Sequence, residues 1–113
     1  MSEIEIRHYV TPAGKDVFED WLAGLPDLQA QARIAVRINR LSAGNFGDSK
    51  SLGGGLSELR IDWGPGYRMY YARAGVQSIL LLCGGDKRTQ SADIQRAGRY
   101  WKDYKARVRR DEA

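Results

Sequence analysis

Residues Gly53–Gln90 read GGGLSELRIDWGPGYRMYYARAGVQSILLLCGGDKRTQ, and three strands can be counted off this stretch. Leu56–Ile61, Tyr67–Arg73 and Gln77–Cys83 carry the β-type patterning, and Gly64-Pro65-Gly66 and Ala74-Gly75 supply the turns between them. Because successive strand side chains point to opposite faces, placing Leu59, Ile61, Tyr67, Met69 and Tyr71 toward a core turns Glu58, Arg60, Arg68 and Tyr70 to the other, exposed face. Ile79-Leu80-Leu81-Leu82 is apolar on both faces, as expected of a central strand. Gly84-Gly85-Asp86 then leads to Lys87, Arg88, Thr89 and Gln90 at the mouth of a helix, where cations and free amide groups suit a phosphate. The opposing reading is a solvated face in which the arginines pair with Glu58, Asp62 and Asp86. Residue types alone leave both readings open.

Working outward, Glu3–Val10 alternates Ile4, Ile6 and His8 against Glu5, Arg7 and Tyr9, which predicts a first strand ended by Thr11-Pro12-Ala13-Gly14. Lys15–Leu22 puts Val17, Phe18, Trp21 and Leu22 on one helical stripe, closed by Gly24 and Pro26. A second helix is predicted over Asp27–Ser42, with Leu28, Ala32, Ala35, Ile38 and Leu41 on the inner stripe and Arg33, Arg37 and Arg40 on another face. The short link makes the two helices an antiparallel hairpin. Ala43–Gly55 is rich in Gly, Ser, Asn and Asp and reads as a surface loop, Gly53-Gly54-Gly55 being its slack. A last helix spans Ser91–Arg107, with Ile94, Ala97, Trp101, Tyr104 and Val108 toward the core and Tyr100 off that stripe and open to solvent. The order is βααβββα, an α+β fold with an antiparallel-rich sheet packed against helices, in one domain over residues 1–113.

Charge is unevenly distributed. Residues 1–56 hold six Lys/Arg against seven Asp/Glu, whereas residues 57–113 hold twelve against seven, so a net of +5 sits on the second half. Such a basic half favours a polyanion or an acidic protein as partner. The last helix alone carries Arg96, Arg99, Lys102, Lys105, Arg107, Arg109 and Arg110, a series that either solubilises the helix or follows a nucleic-acid backbone.

Several chemistries are disfavoured. Cys83 is the single cysteine and ends an apolar run, which predicts a buried thiol in a reducing, cytoplasmic setting. The acidic N-terminal residues do not make a secretory signal, and Ile79–Cys83 is too short to span a membrane. His8 has no second histidine to form an acid–base pair and is expected to be an ordinary strand residue. No cluster has metal-ligand spacing, so neither a metal nor another cofactor is expected, and the triple glycine lacks the Lys-Ser/Thr of a phosphate-binding loop.

Four segments, in order, resemble the RelE/ParE toxin superfamily, specifically its HigB-like addiction module killer branch: Gly44-Asn45-Phe46-Gly47-Asp48, Ser57-Glu58-Leu59-Arg60, Gly64-Pro65-Gly66-Tyr67-Arg68, and Gly84-Gly85-Asp86-Lys87 with Thr89-Gln90. The resemblance implies a type II toxin that enters the ribosome and cuts mRNA without a metal, the 2′-hydroxyl attacking the adjacent phosphate. It implies a helix-turn-helix, HigA-like antitoxin as partner, alongside ribosome and mRNA. Arg68, which matches the strand arginine of the family's Gly-Tyr-Arg, would stabilise transition-state charge. Arg60 would hold the phosphate or act alongside Arg68, and Lys87 would orient substrate or stabilise the leaving oxygen. Arg88, Tyr70, Gln90 and Arg96 are expected to contact RNA. The same superfamily includes ParE-like gyrase inhibitors, so the alternatives are gyrase poisoning and a non-catalytic, antitoxin-bound regulatory module.

Overall fold

The computed structural model describes residues 3–112. Its sheet has five strands in the order β1-β5-β4-β3-β2, with β1 (Glu5–His8), β2 (Ser49–Gly53), β3 (Leu56–Ile61), β4 (Tyr67–Gly75) and β5 (Ser78–Asp86). β1 runs parallel to β5 and every other pair is antiparallel. The helices are α1 (Val17–Ala23), α2 (Leu28–Ser42) and α3 (Gln90–Glu112). None of the helices is long and apolar enough to cross a membrane.

The α+β class and the three-strand meander match the expectation, and β2 is an added strand. It lies inside Ala43–Gly55, where a loop was expected. Its sequence, SKSLG, has no apolar alternation, because an edge strand can be recruited by backbone pairing alone, here with β3 from Ser49 opposite Leu59 to Gly53 opposite Leu56. Gly53, Gly54 and Gly55 all have positive φ (91°, 63° and 89°), so the triple glycine is the turn of this hairpin and not slack.

Both faces of the sheet are covered. On one side α1 and α2 bury Phe18, Ala30, Ile34 and Leu41 against Leu59, Met69, Tyr71, Ile79 and Leu81. On the other, α3 covers Tyr70, Ala72, Leu80, Leu82 and Cys83 with Ala97. The inner stripe of α2 includes Ile38 and Leu41, as expected, but differs toward the start of the helix. Ala30, Ile34 and Leu41 face the sheet, whereas Leu28 is 75% exposed and Ala32, Ala35 and Val36 also face outward. Ile38 and Leu41 are common to both possible stripes, and in the first half of the helix the one through Ala30 and the bulky Ile34 buries more area than the one through Ala32 and Ala35. Asp27 caps α2, its carboxylate accepting from the amides of Gln29 and Ala30.

β5 runs three residues further than expected, through Gly84 and Gly85, and those glycines let both helical layers approach the sheet. A Cβ on Gly84 would overlap the Trp21 ring of α1, and one on Gly85 would overlap the Asp93 carboxylate of α3. Gly84→Ala and Gly85→Ala should each destabilise the protein by about 1–3 kcal/mol, the usual cost of overpacking. Thermal unfolding checks this, and a variant that melts with the wild type would mean the neighbouring side chain moves aside freely.

Candidate functional site

The ends of β3 and β4 meet the start of the last helical segment in an open cleft of about 440 Å³, formed by Asp48, Arg60, Asp62, Gly66, Arg68 and Lys87 over Ile61 and Tyr67. Strand register explains the grouping. Arg60 pairs directly with Arg68 across β3 and β4, and Arg68 pairs with Gly85 of β5. The chain leaves β5 at Asp86 and turns through a 3₁₀ segment at Lys87–Thr89, which brings Lys87 beside Gly66 and the Arg68 side chain. The three residues expected to be catalytic therefore line one cleft.

Like charges directly opposite on neighbouring strands repel, at a cost of roughly 0.2–1 kcal/mol. The two guanidinium groups are drawn to separate carboxylates. Arg60 reaches Asp48 at 3.3 Å, and Arg68 reaches Glu58 at 3.7 Å while donating to the Gly66 carbonyl at 3.1 Å. At 3.7 Å the Arg68–Glu58 approach is Coulombic and not a hydrogen bond, so Arg68 Nε is a buried donor without an acceptor among the described residues. A phosphate seated between Arg60 and Arg68 would relieve their repulsion and could accept hydrogen bonds in the fork geometry that guanidinium groups offer.

Glu58 was expected on an exposed face, but it is 1% exposed and sits at the centre of a polar network. Its Oε2 accepts from the Tyr70 hydroxyl at 3.1 Å and from Gln90 Nε2 at 2.9 Å, besides facing Arg68. The alternation of β3 and β4 was read correctly; what differs is that α3 roofs that face over Glu58 and Tyr70 and leaves only Arg60, Arg68 and their surroundings at its open end. Glu58 was considered only as a surface ion-pair partner. Its place on β3, two residues before Arg60 and on the same face, was the signal available for its role. Asp48 and Tyr67 were likewise not assigned to the cleft.

The residues expected to contact RNA divide differently. Tyr70 is fully buried, which corrects its placement on an exposed face and removes it from direct contact with a ligand. Burial, then the Glu58 charge beside it, raise its hydroxyl pKa well above the usual tyrosine value, so it remains a proton donor. Gln90 is partly buried and spends its amide on Glu58. Arg96 ties α3 to β5, donating to the Gly84 carbonyl at 3.3 Å and to the buried Asp93 at 3.1 Å. Both engage their donors within the fold, and the Arg96 side chain remains about a third exposed. Arg88 is 79% exposed and pairs with Asp86 at 2.8 Å, as the solvated-face reading expected. That hydrogen bond holds the Asp86 carboxyl below the usual carboxylate range, and the same carboxylate accepts from the Arg88 amide to cap the 3₁₀ turn. Tyr100, expected to be open to solvent, stacks on buried Tyr9 at 4.7 Å between ring centroids.

Two further groups are excluded from chemistry at the cleft. Cys83 is buried, and burial pushes its thiol up to about 11, which leaves it protonated and unreactive at neutral pH. His8, the one histidine in the chain, bonds Asp16 at 2.8 Å and packs edge-on against Phe18, on the β1 edge of the sheet. The cleft thus offers cations in quantity, the carboxylates of Asp48 and Asp62, and no imidazole. It is equipped to bind and polarise a phosphodiester.

Over 80 residues, 71% of this chain and 81% of the relative, the sequence is 52% identical to an uncharacterised protein of Haemophilus influenzae. Residues 20–102 match the family described as Phage derived protein Gp49-like (DUF891), a span running from α1 through most of α3 and containing every residue of the cleft. The chain therefore belongs to the Gp49-like family of phage-derived proteins, a family of toxin–antitoxin toxins related to RelE and HigB.

Proposed function

We propose that this protein is a ribosome-dependent endoribonuclease that cuts mRNA and is held inactive by a cognate antitoxin. The observation that carries the reading is the Arg60–Arg68 cross-strand pair, two like charges held directly opposite each other with Lys87 at the same opening. Like charges set opposite one another cost stability, and although each arginine already faces a carboxylate, an anion seated between them would offset that cost further.

In the proposed reaction the 2′-oxygen attacks the adjacent phosphorus, the bond to the 5′-oxygen breaks, and the products carry a 2′,3′-cyclic phosphate and a 5′-hydroxyl. The proton of the 2′-hydroxyl passes to solvent water as the bond forms, and the departing 5′-oxygen takes one from solvent. Arg68 stabilises the charge growing on the non-bridging oxygens, a preorganised contact of the kind that counts most in a partly water-excluded site. Its approach to Glu58 and its bond to the Gly66 carbonyl hold the guanidinium in place before substrate arrives. Arg60, whose partner Asp48 is itself largely exposed, can exchange that carboxylate for the phosphate at little cost. Lys87 lies across Gly66 from Arg68 and meets the leaving oxygen as a compact charge. The antitoxin partner is proposed to be a HigA-like helix-turn-helix protein, and the setting cytoplasmic.

Expression of the chain without its antitoxin should arrest growth and leave cleaved transcripts, mapped by primer extension as breaks within translated regions. Intact transcripts together with gyrase-linked DNA breaks would replace this reading with gyrase poisoning. Intact transcripts with intact DNA would leave the regulatory-module alternative.

A further inference from the structure

A second cleft, of about 290 Å³, opens on the outer side of α2 between Arg33, Arg37 and Arg40. It shares Ile61 and Asp62 with the first cleft, so the two lie next to each other around the end of β3. Its charge is less compensated than that of the first: Asp62 is the one carboxylate in its lining. No ion pair among the described residues engages Arg33, Arg37 or Arg40, whereas Arg60 and Arg68 each face a carboxylate.

Two of the three arginines are held in place by packing contacts. The Arg33 guanidinium lies over the Trp63 ring, 3.8 Å from its centre, and Trp63 is anchored by donating to Asp27 at 3.0 Å. A guanidinium stacked on an aromatic face keeps its in-plane donors for another partner. Arg37 rests against the backbone at Gly47, where φ is +60° and any side chain would overlap the guanidinium. The Gly-Asn-Phe-Gly-Asp segment therefore serves both clefts: Gly47 makes room for Arg37, and Asp48 receives Arg60. Along α2 the spacing of four and three residues puts Arg33 and Arg40 about 10 Å apart on one face. A row of cations at that interval suits successive phosphates of one strand.

We infer that Arg33, Arg37 and Arg40 form a second phosphate-binding subsite, along which the RNA strand held at Arg60, Arg68 and Lys87 continues over α2. This inference rests on the proposed reading of the first cleft as an RNA site. The α2 subsite contributes affinity and direction to the bound strand and takes no part in bond cleavage.

The test uses the purified full chain and fluorescein-labelled 2′-O-methyl oligouridylates of two and eight nucleotides, which lack the attacking hydroxyl. Binding is followed by fluorescence anisotropy across a salt series, with circular dichroism confirming the fold of each variant. Each phosphate contact on a single strand contributes roughly 0.7 to the slope of log affinity against log salt. The variant R33A/R37A/R40A should weaken octamer binding and lower its slope by about 2 relative to the wild type. Arg40→Ala alone, which leaves Arg33 on Trp63 and Arg37 on Gly47, should lower it by about 0.7. Dinucleotide binding should stay at the wild-type value in both. An unchanged octamer slope in the triple variant overturns the inference, as does an equal loss for dinucleotide and octamer. A triple variant that binds the octamer normally but loses the antitoxin overturns it in favour of a protein partner on α2. If the wild type binds neither oligonucleotide, the subsite falls, while the reading of the first cleft stands or falls separately on transcript cleavage in cells. If it binds the octamer through α2 but cuts no transcript in cells, the subsite stands and the nuclease does not.

Discussion

Arg68→Ala should reduce transcript cleavage by about a hundredfold or more, the scale on which loss of one preorganised transition-state donor is felt. Growth arrest on expression should disappear with it. Strand alternation alone would make this an inexpensive surface truncation, but Arg68 is only 11% exposed and lies against a carboxylate that is 1% exposed. Removing one member of a buried ion pair costs about 3–5 kcal/mol when the survivor has no other partner. Glu58 keeps the Tyr70 and Gln90 donors, so the loss should fall toward or below the lower end of that range. Activity and stability must therefore be measured together, by primer extension and by thermal unfolding of the same protein. Arg68→Lys separates the two effects. It keeps a cation opposite Glu58 and should retain most of the stability, yet lose much of the rate, because an ammonium cannot present two parallel donors to a phosphate. A folded Arg68→Ala protein that still arrests growth at the wild-type dose would remove Arg68 from the site.

Glu58→Ala should be the most damaging single change to the fold. It deprives three donors at once: the Tyr70 hydroxyl and the Gln90 amide lose their acceptor, and Arg68 loses its carboxylate. Tyr70 is fully buried and Gln90 partly so, and water can replace Glu58 for them only by entering a closed space beneath α3. Unsatisfied buried groups and a stranded cation together put the loss at about 3–5 kcal/mol. In a chain of this size that corresponds to a fall in Tm on the order of 10–20 °C. Cleavage should fall as well, since Arg68 loses the partner that holds it. Glu58→Gln preserves the shape and one oxygen acceptor and should cost distinctly less. Thermal unfolding followed by circular dichroism measures both variants, and a Glu58→Ala protein melting within a few degrees of the wild type would show that the network carries little of the stability.

Local pattern made much of this protein legible. Alternation set which side chains of β3 and β4 share a face, the apolar run placed β5 in the interior, and glycine-bearing turns marked the meander. Alternation put Arg60 and Arg68 on one face, the family resemblance added Lys87 to them, and the three do line one cleft. Local pattern does not say what lies above a face. That α3 closes over Glu58 and Tyr70, turning one expected ion pair into a buried hub and one expected ligand contact into framework, depends on residues some thirty positions further along the chain. The same holds for α2, whose two apolar stripes are distinguishable only by which one meets the sheet, and for β2, whose pairing is made by backbone groups that every residue carries. Gly84 and Gly85 likewise acquire their meaning from Trp21 and Asp93, which the fold brings onto them. Periodicity is written in the nearest neighbours along the chain. Burial is settled by the elements that pack across it, and for this protein that packing decided which of the polar residues flanking the cleft remain open to a ligand.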